Sequence, residues 1–496
     1  MGNPITSALS RVWVIKYRAR PSSAPEYMGT SRAGSVEQSL GDVTPIRVPS
    51  SKQYGAFEEI GVIKGAEDRP TTSIETQYYT TLSYMKKLVE IKCPFDVQIH
   101  FGLCETPTLF NAGWGKVIII ENTYATNFST GDLGTLEDGD NAKVTETVDL
   151  SGEMFYEVVP IKLVERAQTE VGQEVIAVVV GDNPSCGDCG TPSDGCQRVY
   201  AVSKPAGSSP GVLPEVIFTP DGGTTWGDTW ITTLAIGEDP NDATAIGENL
   251  VVVSNADLGI HYADLTDIQN GVETWTKIAT GFVAAKGPNA ITSIDAAHTW
   301  IVGNGGYVYF ADDVTAGVEV QDAGAATVQN LNDVHAYDAE NVVAVGASNA
   351  VVHTSDGKSW ALVVGPAVGV TLNAVFMHSE KLWFIGDAGG NLWYTEDEGV
   401  NWHQILFPGS GAGSVTAINF ATDSVGYLAH ATATPAGRIL RTIDGGRSWY
   451  VLPEKAGSIP SNDKINSLAV CYREANVVYA GGLADNAADG IIIKGS

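Results

Sequence analysis

The C-terminal part of the chain contains short runs in which apolar and polar side chains alternate. Within residues 372–407, four such runs follow one another: LNAVFMH, KLWFIGD, NLWYTED and WHQILF. Alternation with a period of two is typical of strands with one buried face, and the Gly-Asp and Gly-Gly pairs between the runs favour tight turns. The pattern therefore predicts a four-stranded antiparallel sheet.

This unit recurs along the chain, and a short motif marks it. Related strands begin near residues 216, 260, 307, 351, 392, 439 and 491, so successive units lie 41 to 52 residues apart. A period of about 40–50 residues with several strands in each unit is typical of a β-propeller. Three units contain the full motif Ser/Thr-x-Asp-x-Gly-x-x-Trp, and a fourth copy is one residue shorter. The copies comprise Thr219, Asp221, Gly223 and Trp226; Thr354, Asp356 and Trp360; Thr395, Asp397, Gly399 and Trp402; and Thr442, Asp444, Gly446 and Trp449.

The expected number of blades is seven, with six as the alternative. The first unit, which begins at RVYAVSK (198–204), lacks one strand, and the last unit lacks its outer strand. The segment EVIAVVVGD (174–182) is a candidate for the missing strand of the first unit. The sequence leaves open which segment closes the ring.

These repeats resemble the Asp-box (BNR) repeats of sialidases, sortilin-type receptors and photosystem II assembly factors. The resemblance covers about 300 residues. It implies structural roles at the rim of the propeller, away from any central cavity. In such repeats the Asp accepts hydrogen bonds from the turn, the Gly adopts a positive φ, and the Trp packs between neighbouring sheets.

The arginines of the repeat region argue against sialidase chemistry. The sialidase resemblance would require three arginines from separate blades to hold a carboxylate. Of the five arginines that follow residue 197, four lie in the last two units: Arg438, Arg441, Arg447 and Arg473. We therefore expect no catalytic residues in the propeller and no cofactor.

The first 166 residues have a different pattern, with alternating runs grouped around one helix. The runs predict strands at 12–20, 43–49, 57–65, 96–103, 115–124, 142–150 and 157–165. In LSYMKKLVEIK (82–92) the apolar residues fall on one helical stripe, and Pro94 ends the predicted helix. These elements predict a mainly β domain, a β-sandwich or half-barrel with one helix.

Part of this domain resembles the tail tube proteins of long-tailed bacteriophages. The resemblance rests on GDVTPIRVPSSKQYGAFEEIGVIKGAEDRPTTSIE (41–75), the helix at 82–92 and the closing segment 146–165. It implies hexameric rings that stack into a tube, with the propeller on the outside. The implied partners are further copies of the chain, other tail proteins and DNA that passes through the lumen without specific binding. Residues 21–42 suit either an arm between subunits or a surface loop.

Charge separates the two parts of the chain. The sequence has 29 Lys and Arg against 58 Asp and Glu, a formal net charge of −29. Residues 1–166 account for −5, and residues 167–496, with 13 basic and 37 acidic side chains, account for −24. So few cations exclude a protein that reads nucleic-acid sequence, because such proteins neutralise phosphates with clustered Lys and Arg. Neither a secretory leader nor a membrane-spanning run is expected, since no apolar run approaches about 20 residues.

Three of the six cysteines cluster in the segment between the two parts. Cys186, Cys189 and Cys196 lie in NPSCGDCGTPSDGC. Their spacing suits three-quarters of a zinc site, but no His and no fourth Cys lies nearby. A disulfide and free thiols are the alternatives. The expected organisation is an assembly domain over 1–166, a cysteine-containing linker over 167–197 that is a candidate donor of a strand to the first blade, and a propeller over 198–496.

Together these observations lead to a first expectation about function. The expected protein is an all-β structural subunit of a virion tail, made in the host cytoplasm, that assembles through its N-terminal domain and displays the propeller. The alternative is a surface or secreted adhesion protein whose propeller binds host glycans or proteins, and less readily a glycan hydrolase. No phosphate-binding loop, nucleophile elbow or His-Glu-x-x-His motif occurs in the sequence.

Overall fold

The computed structural model divides the chain into two compact units, Met1–Pro160 and Ile161–Ser496. The structure describes residues 10–15, 26–31, 36–37, 43–49, 57–64, 71–77, 95–101, 116–130, 145–152, 154–159, 161, 163–171, 173–181, 197–205, 213–235, 237–272, 274–366, 369–431, 437–453, 464–471, 475–483 and 489–496. The helix expected at 82–92 and the cysteine cluster at 186–196 lie outside these residues.

The described part of the first unit consists of ten strands. They are β1 Ser10–Ile15, β2 Glu26–Ser31, β3 Val36–Glu37, β4 Val43–Pro49, β5 Phe57–Lys64, β6 Thr71–Gln77, β7 Phe95–Phe101, β8 Lys116–Thr130, β9 Thr145–Ser151 and β10 Met154–Val158. Eight of them form one sheet in the order β10-β8-β7-β1-β2-β6-β3, with β9 paired to both β6 and β8. Strands β4 and β5 form a separate two-stranded hairpin.

The long strand β8 closes this sheet on itself. Its first half pairs with β7 and its second half pairs with β9, which continues through β6, β2 and β1 back to β7. At Asn122, where φ is +50°, the register shifts, and the Asn122 N–H donates to Asp96 Oδ1 at 3.1 Å. A bulge of this kind bends a strand, so β8 can serve two sets of partners. Buried Val97, Ile119 and Val148 lie along the strands that meet there.

The structure changes two expectations for the first unit, and the first change has a chemical cause. Residues 157–165 are not one strand, because β10 ends at Val158 and the next strand begins at Leu163, in the other unit. Pro160 lies between them in the sequence and has no N–H to donate to a ladder. Residues 21–42 are not only loop or arm, since β2 lies within them and pairs with β1 despite its few apolar residues.

The second unit is built from seven sheets of four strands each. In sheet order the strands are β12 Gln173–Val180, β13 Val199–Pro205, β14 Glu215–Thr219 and β15 Gly227–Trp230; β16 Asp242–Ile246, β17 Asn249–Ser254, β18 Gly259–Asp264 and β19 Thr276–Ile278; β20 Pro288–Asp295, β21 His298–Gly303, β22 Tyr307–Ala311 and β23 Glu319–Ala323; β24 Leu331–Ala336, β25 Val342–Gly346, β26 Ala350–Thr354 and β27 Ala361–Val364; β28 Leu372–Met377, β29 Trp383–Asp387, β30 Leu392–Thr395 and β31 His403–Ile405; β32 Ser414–Phe420, β33 Gly426–Ala431, β34 Gly437–Thr442 and β35 Tyr450–Val451; and β36 Lys464–Val470, β37 Val478–Leu483, β38 Asp489–Gly495 and β11 Leu163–Val171.

These sheets are the blades of a seven-bladed β-propeller. The first strand of each blade contacts the first strands of the blades on either side, and β12 and β36 complete the circle. A short helix, α1 Leu265–Gln269, follows β18, and 3-10 turns lie at Asn304–Gly306 and Ala347–Asn349. No helix in the part of the chain that the structure describes is long and apolar enough to cross a membrane.

The ring closes through the beginning of the second unit. Strand β11 pairs with β38 and supplies the outer strand of the last blade, while β12 supplies the inner strand of the first blade. The segment 174–182, which the sequence offers as the missing strand, thus forms most of β12. The division between the units lies before the expected boundary at 166, because β11 starts at Leu163 and belongs to the propeller.

The blades are held together by apolar side chains between neighbouring sheets. Between the fourth and fifth blades, Val343 and Val345 of β25 pack in one cluster with Met377, Trp383 and Ile385. All five are at most 1% exposed. Each blade therefore buries both of its faces, which explains why the middle strands read as continuous apolar runs rather than alternating ones.

Candidate binding cavity

The seven inner strands surround a central cavity of about 750 Å³. They run in the same direction, and residues of all seven line it. In β16, half-buried residues that line the cavity are separated by a buried residue. One register position is Thr in two successive blades and a different side chain in each of the next three. The half-buried residues at that position are Thr244, Thr292, His335, Phe376 and Asn419.

A ring of hydrogen bonds between blades lies at the beginning of the inner strands. In most of these strands one polar residue sits at a register shift, where it is free to turn towards the next blade. The bonds run from Asn289 Nδ2 to Leu331 O (2.8 Å), from Asn332 Nδ2 to Leu372 O (3.0 Å), from Asn373 Nδ2 to Ser414 Oγ (2.8 Å), from Thr416 Oγ1 to Ile465 O (2.7 Å) and from Asn466 Nδ2 to Val175 O (2.8 Å).

Sequence reasoning missed this ring, although a signal for it exists. The short pattern apolar-Asn/Thr-small or Asp-apolar opens five inner strands as PNAI, LNDV, LNAV, VTAI and INSL. Its repeat spacing is that of the Asp boxes. The conspicuous Asp-Gly turns mark the outer strands, and the inner-strand pattern is hidden because it contains no Gly or Trp.

Two carboxylates follow this ring on the inner strands: Asp242 lines the cavity, and Asp333 lies two residues before the lining residue His335. Asp333 Oδ1 accepts from the Val334 N–H (2.8 Å) and Oδ2 accepts from the Val375 N–H of the next blade (2.7 Å). Asp242 accepts in the same way from Ala243 and from a residue of the third blade. Burial raises the pKa of Asp242 to about 6 and that of Asp333 to about 7, and the charge of Asp242 raises the Asp333 pKa further.

Two aromatic rings, those of His335 and Phe376, lie beside Asp333. His335 lies two residues along the same strand, so it faces the same side, and its ring centre is 4.2 Å from that of Phe376. The Met377 N–H donates to His335 Nδ1 at 3.2 Å, which leaves the proton of the neutral ring on Nε2. Burial, and then the charge of His378, lowers the pKa of His335 to about 4. The ring is therefore neutral near pH 7.

These carboxylates should make stability depend on pH in a defined direction. Because the pKa of Asp333 is higher in the folded state than in the unfolded chain, the folded protein binds the proton more tightly between about pH 4 and 7. Its contribution to the free energy of unfolding therefore falls as the pH rises through this range. We expect the free energy of unfolding of Asp333→Asn to fall furthest below that of the wild type near pH 5 and least near pH 7.5.

Urea unfolding of both proteins at pH 5, 6 and 7.5 measures this difference. His335 titrates in the opposite sense, but it is present in both proteins and cancels in the comparison. If the difference in unfolding free energy between the two proteins grows towards pH 7.5, folding does not raise the pKa of Asp333.

The Asp-box turns lie at the other end of the propeller. Each Asp box follows the third strand of its blade, whereas Asp242 and Asp333 stand at or near the start of a first strand. In an antiparallel sheet of four consecutive strands, the start of the first strand and the end of the third are at opposite ends. The repeated motif is therefore remote from these two carboxylates.

The Asp boxes themselves are dense hydrogen-bonded turns. In the first copy, Asp221 Oδ1 accepts from the Thr219 hydroxyl (2.9 Å) and from the N–H groups of Thr224 (3.0 Å) and Thr225 (2.8 Å). The Thr219 oxygen accepts from the Gly223 N–H at 2.8 Å, and Gly223 has a φ of +90°, which glycine adopts without strain. The hydroxyl-to-carboxylate bond recurs from Thr354 to Asp356 (3.0 Å), from Thr395 to Asp397 (2.8 Å) and from Thr442 to Asp444 (2.8 Å).

The motif tryptophans differ in where they point. Trp402 Nε1 donates to Val364 O of the preceding blade at 2.7 Å, and Trp360 Nε1 donates to Gln321 Oε1 of its preceding blade at 3.1 Å. Trp449 Nε1 donates within its own turn to Gly446 O at 3.0 Å. Two of the four motifs thus link adjacent blades by a hydrogen bond, one closes its own turn, and the fourth tryptophan, Trp226, packs against apolar residues of the first and last blades.

The four Asp-box carboxylates are not equivalent. Asp221 is accessible, and the N–H and hydroxyl of Thr225 lower its pKa. The N–H groups of Ser359 and Lys358 lower the pKa of Asp356 in the same way. Asp444 is 1% exposed, and burial raises its pKa. The same motif therefore sits in water in some blades and inside the protein in another.

This difference predicts unequal costs for the same substitution. Asp444→Ala should lower the free energy of unfolding by about 2–4 kcal/mol, because buried donors of Ser448 and Thr442 lose their acceptor. Asp221→Ala is the matched control and should cost clearly less, because water reaches the donors that it leaves. Urea denaturation of both variants measures the two costs, and equal losses would contradict the role given to burial.

The remaining predicted candidates are the cysteines, and Cys186, Cys189 and Cys196 lie outside the described residues. Cys471 is disulfide-bonded and buried. It directly follows β36, just as Gly181 directly follows the neighbouring inner strand β12, so the chain leaves the ring at the same end in both places. The segment with the three cysteines begins immediately after Gly181.

We therefore expect Cys471 to be linked to one of those three cysteines. Peptide mapping without reductant should show one linked peptide pair that includes Cys471 and separates on reduction. A link from Cys471 to either of the two cysteines before residue 161, or a free Cys471 thiol, would contradict this pairing. No three His, Cys, Asp or Glu side chains among the described residues lie close enough together to hold a metal ion.

The fold and the repeats define the class of this protein as a seven-bladed β-propeller of the Asp-box type. A family model described as photosynthesis system II assembly factor YCF48 matches residues 317–471, which contain three complete blades and one strand from each of two others. No curated protein sequence matches the chain significantly. The comparisons give no support for the tail tube resemblance of the N-terminal domain.

Solved structures share the propeller fold at low sequence identity. A catalytically inactive virginiamycin B lyase from Staphylococcus aureus with quinupristin has a TM-score of 0.50 at 10% identity, over 67% of this chain and 99% of that one. A YCF48 bound to a D1 peptide has a TM-score of 0.49 at 14% identity, over 68% and 95%. YCF48 from Cyanidioschyzon merolae has a TM-score of 0.48 at 14% identity, over 67% and 98%. At such identities the likeness shows the fold alone.

Proposed function

We propose that this chain is a binding protein without catalytic activity, whose propeller takes a segment of a partner protein into its central cavity. The observation that carries the proposal is the cavity of about 750 Å³. Its volume lies within the range of about 300–1,000 Å³ that is usual for ligand pockets. Around it five inner strands share one bonding pattern, and one register position holds Thr, His, Phe or Asn, which is where we place the specificity.

Several features favour a protein segment over a sugar substrate. The family model that matches residues 317–471 is named for an assembly factor. None of the described residues that line the cavity is an arginine, so they form no sialidase-type clamp for a carboxylate. Both oxygens of Asp242 and of Asp333 are held by backbone N–H groups, a fixed arrangement that suits recognition better than proton transfer.

A substitution that places a large side chain in the cavity tests the proposal. Peptides selected from a random library on the full-length protein should bind the wild type and lose at least tenfold in affinity for Thr292→Trp, because the indole projects into the cavity and narrows it. Thr276→Trp is the matched control, since Thr276 is exposed on the outer strand β19. If no peptide is selected, or if both variants bind like the wild type, the cavity is not the binding site.

A second candidate function concerns the first unit, namely self-assembly of the kind seen in a virion tail tube. Strands β4 and β5 pair only with each other among the described residues. An isolated two-stranded hairpin is marginally stable in water, and its free edges favour pairing with another chain. Negative-stain microscopy of the full-length protein should show rings or tubes if this assembly occurs. Dispersed monomers at high concentration would contradict it.

A further inference from the structure

The chemistry of the cavity identifies the kind of residue that the partner inserts. We propose, building on the function proposed above, that an arginine of the partner pairs with the carboxylate of Asp333 and stacks on the ring pair of His335 and Phe376. Asp242, which lines the cavity, adds a second negative charge. The proposal rests on three observations: the charge balance of the cavity, the aromatic rings beside the carboxylate, and the fixed orientation of that carboxylate.

The cavity has negative charge without compensation. No lysine or arginine is among the described residues that line it, and Asp242 and Asp333 are close enough for one charge to raise the pKa of the other carboxyl. Each carboxylate has backbone N–H partners, but a carboxylate offers about four acceptor positions, so positions remain for a ligand. A bound cation would relieve the cost of holding these charges away from water.

Three aromatic rings, tilted to one another by 43° and 35°, lie next to one of the carboxylates. Asp333 and His335 are two residues apart on β24 and so face the same side of the strand. His335 is neutral near pH 7, because burial lowers its pKa to about 4. Its ring is 4.2 Å from Phe376, and Phe376 is 5.0 Å from Phe420, which extends the aromatic surface away from the charge.

This combination fits arginine better than other cations. A guanidinium is planar, pairs with a carboxylate through two N–H groups and stacks on aromatic faces, whereas a lysine ammonium is a compact, strongly hydrated charge. A resident metal ion fits less well, because no group of three suitable ligands occurs among the described residues. The orientation of Asp333 is set by the N–H groups of two blades, so the acceptor is already in place before the ligand arrives.

Three short peptides test the proposal on the full-length protein. They are acetylated and amidated pentapeptides of glycine with a central arginine, lysine or citrulline. Isothermal titration at pH 7.5 should show that the arginine peptide binds at least tenfold more tightly than the citrulline peptide, which has the same shape without charge. The lysine peptide should bind about threefold more weakly than the arginine peptide, because it pairs but does not stack.

Variants distinguish binding at this site from general attraction of a cationic peptide to the acidic protein. Asp333→Asn should weaken the arginine peptide at least tenfold, and Phe376→Leu should weaken it about threefold while leaving the lysine peptide unchanged. Glu319→Gln removes one charge from an exposed position on the outer strand β23 and should change binding less than twofold. Should Asp333→Asn fail to fold, the citrulline comparison and Phe376→Leu still decide the question.

The outcomes distinguish this inference from the broader function. Equal binding of the arginine and citrulline peptides, or equal losses for Asp333→Asn and Glu319→Gln, would overturn the arginine site. If library-selected peptides then still bind the wild type and not Thr292→Trp, the cavity binds protein segments by other contacts. If neither the pentapeptides nor the library peptides bind, both proposals fail.

Discussion

A chain that begins at residue 161 is expected to fold and to unfold in one cooperative transition, whereas a chain that begins at residue 198 is not. The longer chain contains β11, which completes the last blade beside β38, and β12, which is the inner strand of the first blade. Removal of both opens the ring at its closure and exposes the apolar faces of two blades. Loss of buried contacts on this scale exceeds the stability of about 5–15 kcal/mol that is usual for a folded protein.

Calorimetry and circular dichroism of the two truncated chains measure this effect. The chain from residue 161 should show a sharp thermal transition, and the chain from residue 198 should show none or should aggregate. Equal cooperative transitions in both would mean that the ring closes without the two N-terminal strands. That result would contradict the topology described above.

Replacement of Arg441 by Ala is expected to cost about 3–5 kcal/mol of unfolding free energy. Arg441 is fully buried on β34, and its Nη2 donates to Ala475 O (2.6 Å) and to Asn476 Oδ1 (3.0 Å) of the next blade. The Tyr427 hydroxyl donates to the same carbonyl at 2.6 Å, and the guanidinium carbon is 5.6 Å from the Tyr427 ring centre. The substitution removes charge-assisted bonds between blades and leaves a cavity.

Urea denaturation measures this cost, and two variants control it. Arg441→Lys should recover little of the loss, because an ammonium cannot reproduce the planar fork of donors. Arg438→Ala, three residues earlier on the same strand at a half-buried position, should cost about 1 kcal/mol or less. A loss for Arg441→Ala no larger than that for Arg438→Ala would show that the buried guanidinium does not join the sixth and seventh blades.

The part of this fold that the sequence predicts well is the part whose chemistry repeats. The turn from Thr442 to Trp449 needs a hydroxyl, a carboxylate and a glycine at fixed spacing, so the motif survives in recognisable form and locates its blade. The period of the motif then predicts the propeller. Its closure is harder to predict, because β11 and β38 meet through backbone bonds that no side-chain pattern identifies.

The binding cavity was not predictable in the same way. His335 and Phe376 share an inner-strand position whose residue type varies between blades, and Asp333 stands where the next blade has Ala374, so no repeat marks them. Asp333 and His335 are two residues apart, a spacing that occurs in every strand and so carries no signal. Their significance arises only when the ring brings neighbouring inner strands together. Asn332, at a register shift of β24, belongs to the one repeated sequence pattern that lies near Asp333.

The proposal that the cavity binds a protein segment is tested most directly by locating a bound peptide. A library-selected peptide that carries a benzophenone at one end is irradiated with the full-length protein, and mass spectrometry identifies the residues that it labels. The account predicts labels on the cavity-lining positions of the inner strands, such as Thr292, Phe376 and Asn419. Labels confined to the outer strands, the Asp-box turns or the first unit would contradict it.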